Sequence, residues 1–226
     1  MRVLVVGFDT ATPAVSVALH DGERVVSAAL TVDARRQGEL LAPMIADVLA
    51  DAGATRADLT AVAVGVGPGP YTGLRVGLVT ARVLGEVLGI PVHGVCTLDI
   101  IAAAAAPPAD TDFLVATDAR RKEVYWARYD AQGQRTAGPQ VGAATAIPDG
   151  ADLAVAGDGG RMYAAAFGAV IEPAHPDART LCTMVARHAE AEAEAKAGPE
   201  LLPPEPLYLR RPDAREPGAP KRVTPP

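Results

Sequence analysis

The sequence predicts an α/β fold of two tandem lobes, each built on the same β-β-β-α-β-α plan. Twice along the chain a continuous apolar strand ends at an aspartate, first at Asp9 and again at Asp118, and a hairpin follows. A further aspartate lies twelve residues after each of these, at Asp21 and Asp130, where a turn is expected. Self-similarity at a fixed offset indicates an internal duplication. The length of 226 residues is compatible with one large domain or two small lobes.

The first half contains the complete plan, because strand and helix patterns alternate there between clear turn signals. The run from 3 to 8 is continuously apolar, which is typical of a central strand buried on both faces. Asp21-Gly22 is a strong hairpin signal, and Gly53 and Gly89 end two helices. The predicted elements are strands 3–8, 14–19 and 24–32, helix 39–52, strand 61–66, helix 71–88, strand 91–95 and helix 97–106.

The second half repeats the plan in shorter form and ends in a proline-rich tail. Its predicted elements are strands 113–117, 123–129 and 153–156, a glycine-rich turn at 157–160, a helix at 162–167 and a long helix at 177–197. Nine of the 20 prolines lie after residue 198, so we expect an extended segment there, docked through the apolar cluster 207–209. We divide the chain into an N-terminal lobe (1–110), a smaller C-terminal lobe with the final helix (111–198) and a tail (199–226).

Composition and residue spacing exclude several functional classes. Two cysteines cannot form a disulfide scaffold, and the four histidines lack metal-ligand spacing, so we predict no metal site. The sequence has no nucleophile elbow and no P-loop, and we predict no catalytic residues. The net charge of −6 disfavours polyanion binding over the whole surface. We expect no signal peptide and no membrane span, and therefore a cytoplasmic protein.

Three polar loops follow strands, at the sheet edge where α/β folds bind ligands. They lie at residues 9–12, 67–73 and 157–160. Their glycines permit close backbone approach, a helix N-terminus favours an anion, and Asp9 could hold a hydrated cation. Each loop could instead be an ordinary turn. If the loops converge, they form an ATP or ADP site between lobes or between subunits. The tentative nucleotide-binding residues are Asp9, Thr10, Gly67, Gly69, Thr72, Gly73 and Gly159.

The helix predicted at 71–88 carries small residues at every fourth position. An interior glycine costs a helix about 1 kcal/mol relative to alanine, so this stripe suggests close approach of another helix. That helix could belong to the same chain or to a second subunit. The helix at 39–52 has two apolar rows, more than one sheet-facing stripe requires. The predicted partner interface is Leu40, Leu41, Met44, Val48, Gly73, Gly77, Leu78, Ala81, Arg82 and Gly85.

A basic run, Arg120-Arg121-Lys122, lies in the predicted hairpin turn of the second lobe. Such a run in a turn is commonly just solvated. The alternative is that it contacts phosphate or an acidic partner at the cleft between the lobes, since arginine forms strong charge-assisted hydrogen bonds with such groups.

Several of these segments together resemble the TsaB (YeaZ) family over nearly the whole chain to about residue 210. They are Phe8-Asp9-Thr10, Val15-Ser16-Val17-Ala18, Gly67-Pro-Gly-Pro-Tyr-Thr-Gly-Leu-Arg75, Gly94-Val95 with Thr97-Leu98, Asp118-Ala119-Arg120 with Glu123-Val124-Tyr125, and Pro206-Leu-Tyr-Leu-Arg210. The resemblance implies the two-lobed actin/Hsp70/sugar-kinase fold, which is ribonuclease H-like. It also implies a non-catalytic dimerisation subunit that acts with a catalytic TsaD paralogue and a TsaE ATPase. That assembly places a threonylcarbamoyl group on N6 of adenosine 37 in tRNAs that read codons beginning with A.

One departure from the catalytic paralogue supports this role. The paralogue carries two metal-binding histidines in its first long helix region, whereas the corresponding stretch here, from Gln37 to Pro43, has none. We expect no tightly bound cofactor, a homodimer in isolation, and contact with tRNA only through the complex. Two alternatives stay open: a stand-alone ATP-dependent kinase of the same superfamily and, ranked last, a glycopeptidase-like hydrolase.

Overall fold

The computed structural model describes residues 3–193 and 198–210, and it contains two five-stranded mixed sheets. In each sheet the first three strands are antiparallel, and the fourth and fifth run parallel to the first. The elements of the first sheet and its connections are β1 (Val5–Asp9), β2 (Ala14–His20), β3 (Val25–Val32), α1 (Gln37–Asp51), β4 (Ala61–Gly65), α2 (Tyr71–Leu88), β5 (Val92–Val95) and α3 (Thr97–Ala104). Those of the second are β6 (Phe113–Asp118), β7 (Val124–Tyr129), β8 (Arg135–Gly142), β9 (Ala154–Ala156), α4 (Asp158–Met162), β10 (Ala169–Val170) and α5 (Ala178–Ala193).

The two sheets have equivalent strand orders, β3-β2-β1-β4-β5 and β8-β7-β6-β9-β10. Strand β6 begins a new sheet instead of joining the sheet of β1, so the predicted two-lobed α/β fold and its duplication are confirmed. The repeat is not uniform. Asp9 pairs with Ser16 and leaves six residues in the turn, whereas Asp118 pairs with Val124 and leaves five. The spacing of the aspartates suggests that β2 and β7 occupy equivalent sequence positions in the two lobes. The pairings show that β7 is shifted by one residue from the position expected from β2.

The second lobe is a reduced copy of the first. Where α1 connects β3 to β4, short 3₁₀ turns at 144–146 and 150–152 connect β8 to β9. In place of the helix predicted at 162–167 there is a short α-helix at Asp158–Met162 and a 3₁₀ turn at Ala164–Ala166. Gly159 lets the helix lie close to β6, since a Cβ there would be 2.9 Å from the backbone carbon of Thr117. Strand β8 is not signalled in the sequence, since Pro139 interrupts it; proline is tolerated there because β8 is an edge strand. The predicted end of the last helix, 194–197, lies outside the described residues.

The final helix packs on the first sheet, although it follows the second along the chain. Leu181, Cys182 and Val185 of α5 share a buried cluster with residues of β1, β2 and β4. The amide of Ala178 donates to Ser16 Oγ at 2.8 Å and fixes the start of the helix. Helices α1 and α2 cover the opposite face of the same sheet. Helix α5, which the sequence assigns to the C-terminal lobe, is thus part of the first lobe in space.

The lobes are joined by a shared core. Leu98 and Ile101 of α3 lie in one buried cluster with Phe113, Val115 and Tyr129 of the second sheet. Interiors of this kind are close-packed and resist separation. Within the described part of the chain, none of the helices has the length and apolar character needed to cross a membrane.

Residues 198–210 form an extended segment, called the strap here, that lies along the edge of the first sheet. Leu202 exchanges two backbone hydrogen bonds of 2.8 Å with Gly94 of β5, and the amide of Leu207 donates to the carbonyl of Val66 at 2.9 Å. Only glycine fits at position 94, because a Cβ there would lie 2.7 Å from the carbonyl oxygen of Pro203. The side chains of Leu202 and Leu207 complete the cores of the first lobe and of the junction.

Gly94→Ala should lower the free energy of unfolding by about 1–3 kcal/mol, because the added methyl group meets backbone atoms that cannot rotate away. Urea denaturation measures the change. Gly142→Ala is the matched control in a strand of the second lobe, where a Cβ meets nothing within 4 Å, and it should stay within about 0.5 kcal/mol of the parent. Equal stability of the two variants would contradict the tight contact between strap and sheet.

Candidate functional site

Asp9 ends β1 as a fully buried carboxyl group with partners inside the protein. Its Oδ1 accepts from the amide of Ala11 at 2.8 Å, and its Oδ2 accepts from Thr97 Oγ1 at 2.7 Å. Gly65 on the adjacent strand leaves the necessary space, since a Cβ there would lie 1.7 Å from Oδ2. Thr97 Oγ1 also accepts from the amide of Gly67 at 3.1 Å. Asp9 therefore ties together β1, β4, α3 and the loop before α2.

Burial raises the pKa of Asp9 from 3.8 to about 6, and the hydrogen bonds from Thr97 and Ala11 act in the opposite direction. Desolvation prevails because it penalises the charged form at a site without solvent. A carboxyl group placed in this way acts as a structural acceptor and does not present a free oxygen to a cation in solution.

The hydroxyl of Thr10 is inserted into the first turns of α2. It donates to the carbonyl of Gly73 at 2.7 Å and accepts from the amide of Gly77 at 3.0 Å. In an undisturbed α-helix the amide of Gly77 would donate directly to the carbonyl of Gly73. Here the hydroxyl of Thr10 lies between the two groups and bonds to both. A Cβ at Gly77 would lie 2.7 Å from Thr10 Oγ1, and one at Gly73 would lie 2.5 Å from the carbonyl oxygen of Thr10.

The tentative nucleotide-binding residues do not converge on one cavity. Asp9 and Thr10 are buried in these contacts, and Gly69 packs so that a Cβ would lie 2.1 Å from the carbonyl oxygen of Ala11. Gly159 packs against the end of β6 in the second lobe. Of the seven predicted residues, Thr72 and Gly73 line the cleft between the lobes, and the others do not.

That cleft has a volume of about 530 Å³ and lies between the first turns of α1 and α2 and the β6–β7 turn. Its charged lining residues are Arg35, Arg120, Glu39 and Asp118. The carboxylate of Asp118 pairs with Arg120 at 3.2 Å. Two cations and two anions balance, so the lining does not create the positive potential that attracts a polyphosphate.

The basic run has an unusual backbone. Arg120, Arg121 and Lys122 are exposed and have φ values of 61°, 56° and 63°, the left-handed region that side chains rarely adopt. Asp118 Oδ1 accepts from the amide of Arg120 at 2.8 Å and stabilises this turn. Only Arg120 of the three lines the cleft. Of the predicted basic cluster, the structure places Arg120 at the lining of the cleft, and Arg121 and Lys122 are exposed in the same turn.

The small-residue stripe of α2 faces the chain's own sheet and, at Gly73, the first residue of α1, which corrects its assignment to a partner interface. Gly73 and Gly77 meet Thr10, and a Cβ at Gly85 would lie 2.4 Å from Val92 Cγ2 of β5. Other parts of the chain do approach these glycines closely, but they are the loop at Thr10, the start of α1 and strand β5. The other predicted interface residues that are buried in the core of the first lobe are Leu41, Met44, Val48, Leu78 and Ala81. Arg82 is exposed and Leu40 is partly buried.

The outer face of α2 carries apolar residues that the sequence analysis did not select. Tyr71, Val79, Val83 and Val87, called the α2 ridge here, are 53%, 56%, 54% and 75% exposed. Their spacing in multiples of four was visible in the sequence, but so was that of the glycines, and periodicity alone does not say which row faces inward. The ring of Tyr208 on the strap stacks on Tyr71 with centroids 5.5 Å apart, and so extends the ridge.

No group of three or more histidine, cysteine, aspartate or glutamate side chains within residues 3–193 and 198–210 is arranged to hold a metal ion. The polar atoms of Asp9 and Thr10 at the end of β1 serve the packing of the lobe itself, whereas the exposed outer face of α2 carries four apolar or aromatic side chains.

Asp9→Asn should remove a pH dependence of stability. Between about pH 4 and pH 6 the unfolded chain loses the Asp9 proton before the folded chain does, so the contribution of Asp9 to stability falls by roughly 3 kcal/mol as the pH rises. The variant should lack this slope and be at least as stable as the parent at pH 7. Urea denaturation of the parent and of the variant across this pH range tests the prediction. A parent-like slope in Asp9→Asn would contradict the burial of a titrating carboxyl group.

Comparison with known proteins gives one family. The family model described as TsaD: tRNA N6-adenosine threonylcarbamoyltransferase matches residues 31–217. An uncharacterized protein of Mycobacterium tuberculosis is 48% identical over 219 residues, which cover 93% of each chain. The tRNA threonylcarbamoyladenosine biosynthesis protein TsaB of Escherichia coli is 41% identical over 131 residues, covering 57% of this chain and 55% of the relative.

Solved structures agree with this result. YeaZ from Pseudomonas aeruginosa superimposes with a TM-score of 0.73 at 30% identity, over 92% of this chain and 100% of that one. A second structure from Pseudomonas aeruginosa, described as similar to the peptidase YEAZ, gives 0.76 at 29% identity with the same coverage. The two-lobed fold, the matched family model and these similarities together show that the chain belongs to the TsaB (YeaZ) family.

Proposed function

We propose that this chain is the non-catalytic subunit of a tRNA threonylcarbamoyladenosine synthesis complex in the cytoplasm. It pairs with a TsaD-type catalytic paralogue and, together with a TsaE-type ATPase, supports N6-threonylcarbamoylation of adenosine 37 in tRNAs that read codons beginning with A. The name of the Escherichia coli relative supports the pathway. The observation that carries the non-catalytic role is the internal use of Asp9 and Thr10, whose polar atoms bond to the protein itself.

The charge and packing of the cleft between the lobes support the same assignment. A kinase of this superfamily uses free backbone amides to bind phosphate, and one amide in the first turns of α2, that of Gly77, already donates to Thr10 Oγ1. The shared core of α3 and the second sheet also disfavours the opening and closing of lobes that such enzymes use. We therefore place the stand-alone kinase below the scaffold, and a hydrolase lower still.

The α2 ridge is the proposed partner surface. Rows of residues at i, i+4 pack into the grooves of a facing helix, and a twofold axis would bring two such ridges together. The isolated chain should form a homodimer in this way. A paralogue with the same fold presents an equivalent helix, so homodimer and heterodimer compete for one surface. Leu40 and Arg82 remain at the margin of this surface, whereas the glycine stripe supports α2 from within.

Val83→Asp should weaken both associations at least tenfold, because a charge in an apolar contact loses its hydration without gaining a partner. Sedimentation velocity measures the homodimer, and titration with the paralogue measures the heterodimer. Val32→Asp on β3 is the matched control, since Val32 is 55% exposed and Val83 is 54% exposed. If both variants associate like the parent, the α2 ridge is not the partner surface.

The isolated chain should give no threonylcarbamoylation of tRNA and no steady-state ATP turnover, because its strand-end polar groups are committed to packing. Modification should appear only when the paralogue and the ATPase are added, and should depend on the amount of this chain. Measurement follows labelled threonine incorporated into tRNA, with each protein omitted in turn. Activity of the chain alone that survives repeated purification would overturn the non-catalytic role.

A further inference from the structure

Three segments that the sequence analysis singled out meet at one place in the structure. They are the loop and first turns of α2 (67–75), the β6–β7 turn (118–125) and the end of the strap (206–210). Tyr208 stacks on Tyr71 with ring planes 25° apart. Two residues further on, Arg210 Nη1 donates to the carbonyl of Ala119 at 3.0 Å, and its guanidinium also pairs with Glu123. The function proposed above uses the first segment but gives the other two no task.

The strap connects to the second lobe at both of its ends. At its start, Glu200 Oε2 pairs with Arg135 Nη2 of β8 at 3.0 Å. At its end, Arg210 binds the β6–β7 turn. Between these points it follows the first lobe, through Leu202 on β5 and Leu207 at Val66. The strap therefore holds Tyr208 against α2, and two residues later Arg210 attaches the strap to the second lobe.

Tyr208 is 46% exposed and continues the α2 ridge beyond the N-terminus of the helix. Ten large apolar or aromatic side chains are well exposed within the described residues, and five of them are Tyr208 and the four members of the ridge. Clustering of this kind marks an interaction surface, and tyrosine is enriched among the residues that dominate binding energy. The Tyr208 ring thus belongs to the same surface as Val79, Val83 and Val87.

We infer that the strap is part of the partner surface: Tyr208 contacts the TsaD-type paralogue together with the α2 ridge, and Arg210 is a positioning residue that holds Tyr208 through the second lobe. This inference rests on the proposed function. A protein partner is favoured over RNA because Val79, Val83 and Val87 continue this surface along α2 and the chain has a net charge of −6, although Arg75 lies 4.8 Å from the centroid of the Tyr71 ring. In this inference the second lobe has an anchoring role and not a catalytic one, because its β6–β7 turn holds the strap.

The first test compares Tyr208→Ala with Tyr208→Phe in the full chain. Loss of the ring should weaken binding of the paralogue by about three- to tenfold, whereas phenylalanine keeps the stack and should stay within about twofold. Isothermal titration or interferometry gives the affinities. Thermal unfolding of each variant verifies that the fold is intact. Hydrogen exchange supplies a second measurement, because the amides of residues 205 and 207–209 of the parent should become protected when the paralogue binds.

The second test addresses Arg210. Arg210→Ala should weaken binding to a similar extent as Tyr208→Ala, although Arg210 lies beyond the stacked rings. Arg210→Lys keeps the positive charge but loses the fork that reaches Ala119 and Glu123 together, so it should recover only part of the affinity. In the double variant with Tyr208→Ala, removal of Arg210 should add little, because the two changes act through one contact.

The outcomes separate this inference from the proposed function. If Val83→Asp abolishes pairing while Tyr208→Ala binds the paralogue within twofold of the parent, the ridge stands and the strap has no part in it. If Tyr208→Ala leaves pairing unchanged but weakens tRNA binding by the assembled complex, the ring stacks on a base and the inference is wrong. If Tyr208→Ala weakens pairing but Arg210→Ala does not, the positioning role of Arg210 is wrong.

Discussion

The carboxyl group of Asp9 lies in the space that Gly65 leaves open, and three other segments take their positions from it. Thr97, at the start of α3, donates to Asp9 and accepts from Gly67, which opens the loop to α2. The neighbouring Thr10 then holds the first turns of α2. A chain of short, buried hydrogen bonds thus runs from the first strand to the helix that presents the α2 ridge. The direction in which the ridge points is set inside the lobe, not by its own apolar residues.

Glycine and alanine on the inner row of α2 make this arrangement possible. With a Cβ at Gly73 or Gly77, the helix would stand off from the end of β1 and Thr10 could not enter its ladder. Because the inner row is filled by backbone and by a threonine, the outer row of α2 is the one that stays exposed. The small residues that suggested an interface in the sequence therefore hold α2 close to the rest of its own lobe.

Periodicity and turn chemistry predicted most of the first lobe, because its strands and helices carry strong local signals. The duplication could be predicted from Asp9 and Asp118. Strand β8 could not, because Pro139 breaks its alternating pattern and because its pairing with β7 depends on tertiary structure. The packing of α5 on the first sheet depends on contacts separated by more than 150 residues, such as that of Ser16 with Ala178. For the candidate site, the sequence identified Asp9 and Thr10 as special. It could not say that their partners are Thr97, Gly73 and Gly77, because those partners are fixed only by the fold.

The position of α5 also constrains how the chain can acquire its structure. The face of the first sheet that α5 covers includes Val5, Ala18 and Ala63, which come from the first third of the sequence. During synthesis α5 cannot cover these residues until positions 178–193 have left the ribosome, and before that the cluster has only Ile100 of α3 as a helical contribution. In this respect the second lobe is an insertion within the first. A nascent chain of this architecture exposes its earliest strands longest, and that interval is when a chaperone would have the most apolar surface to hold.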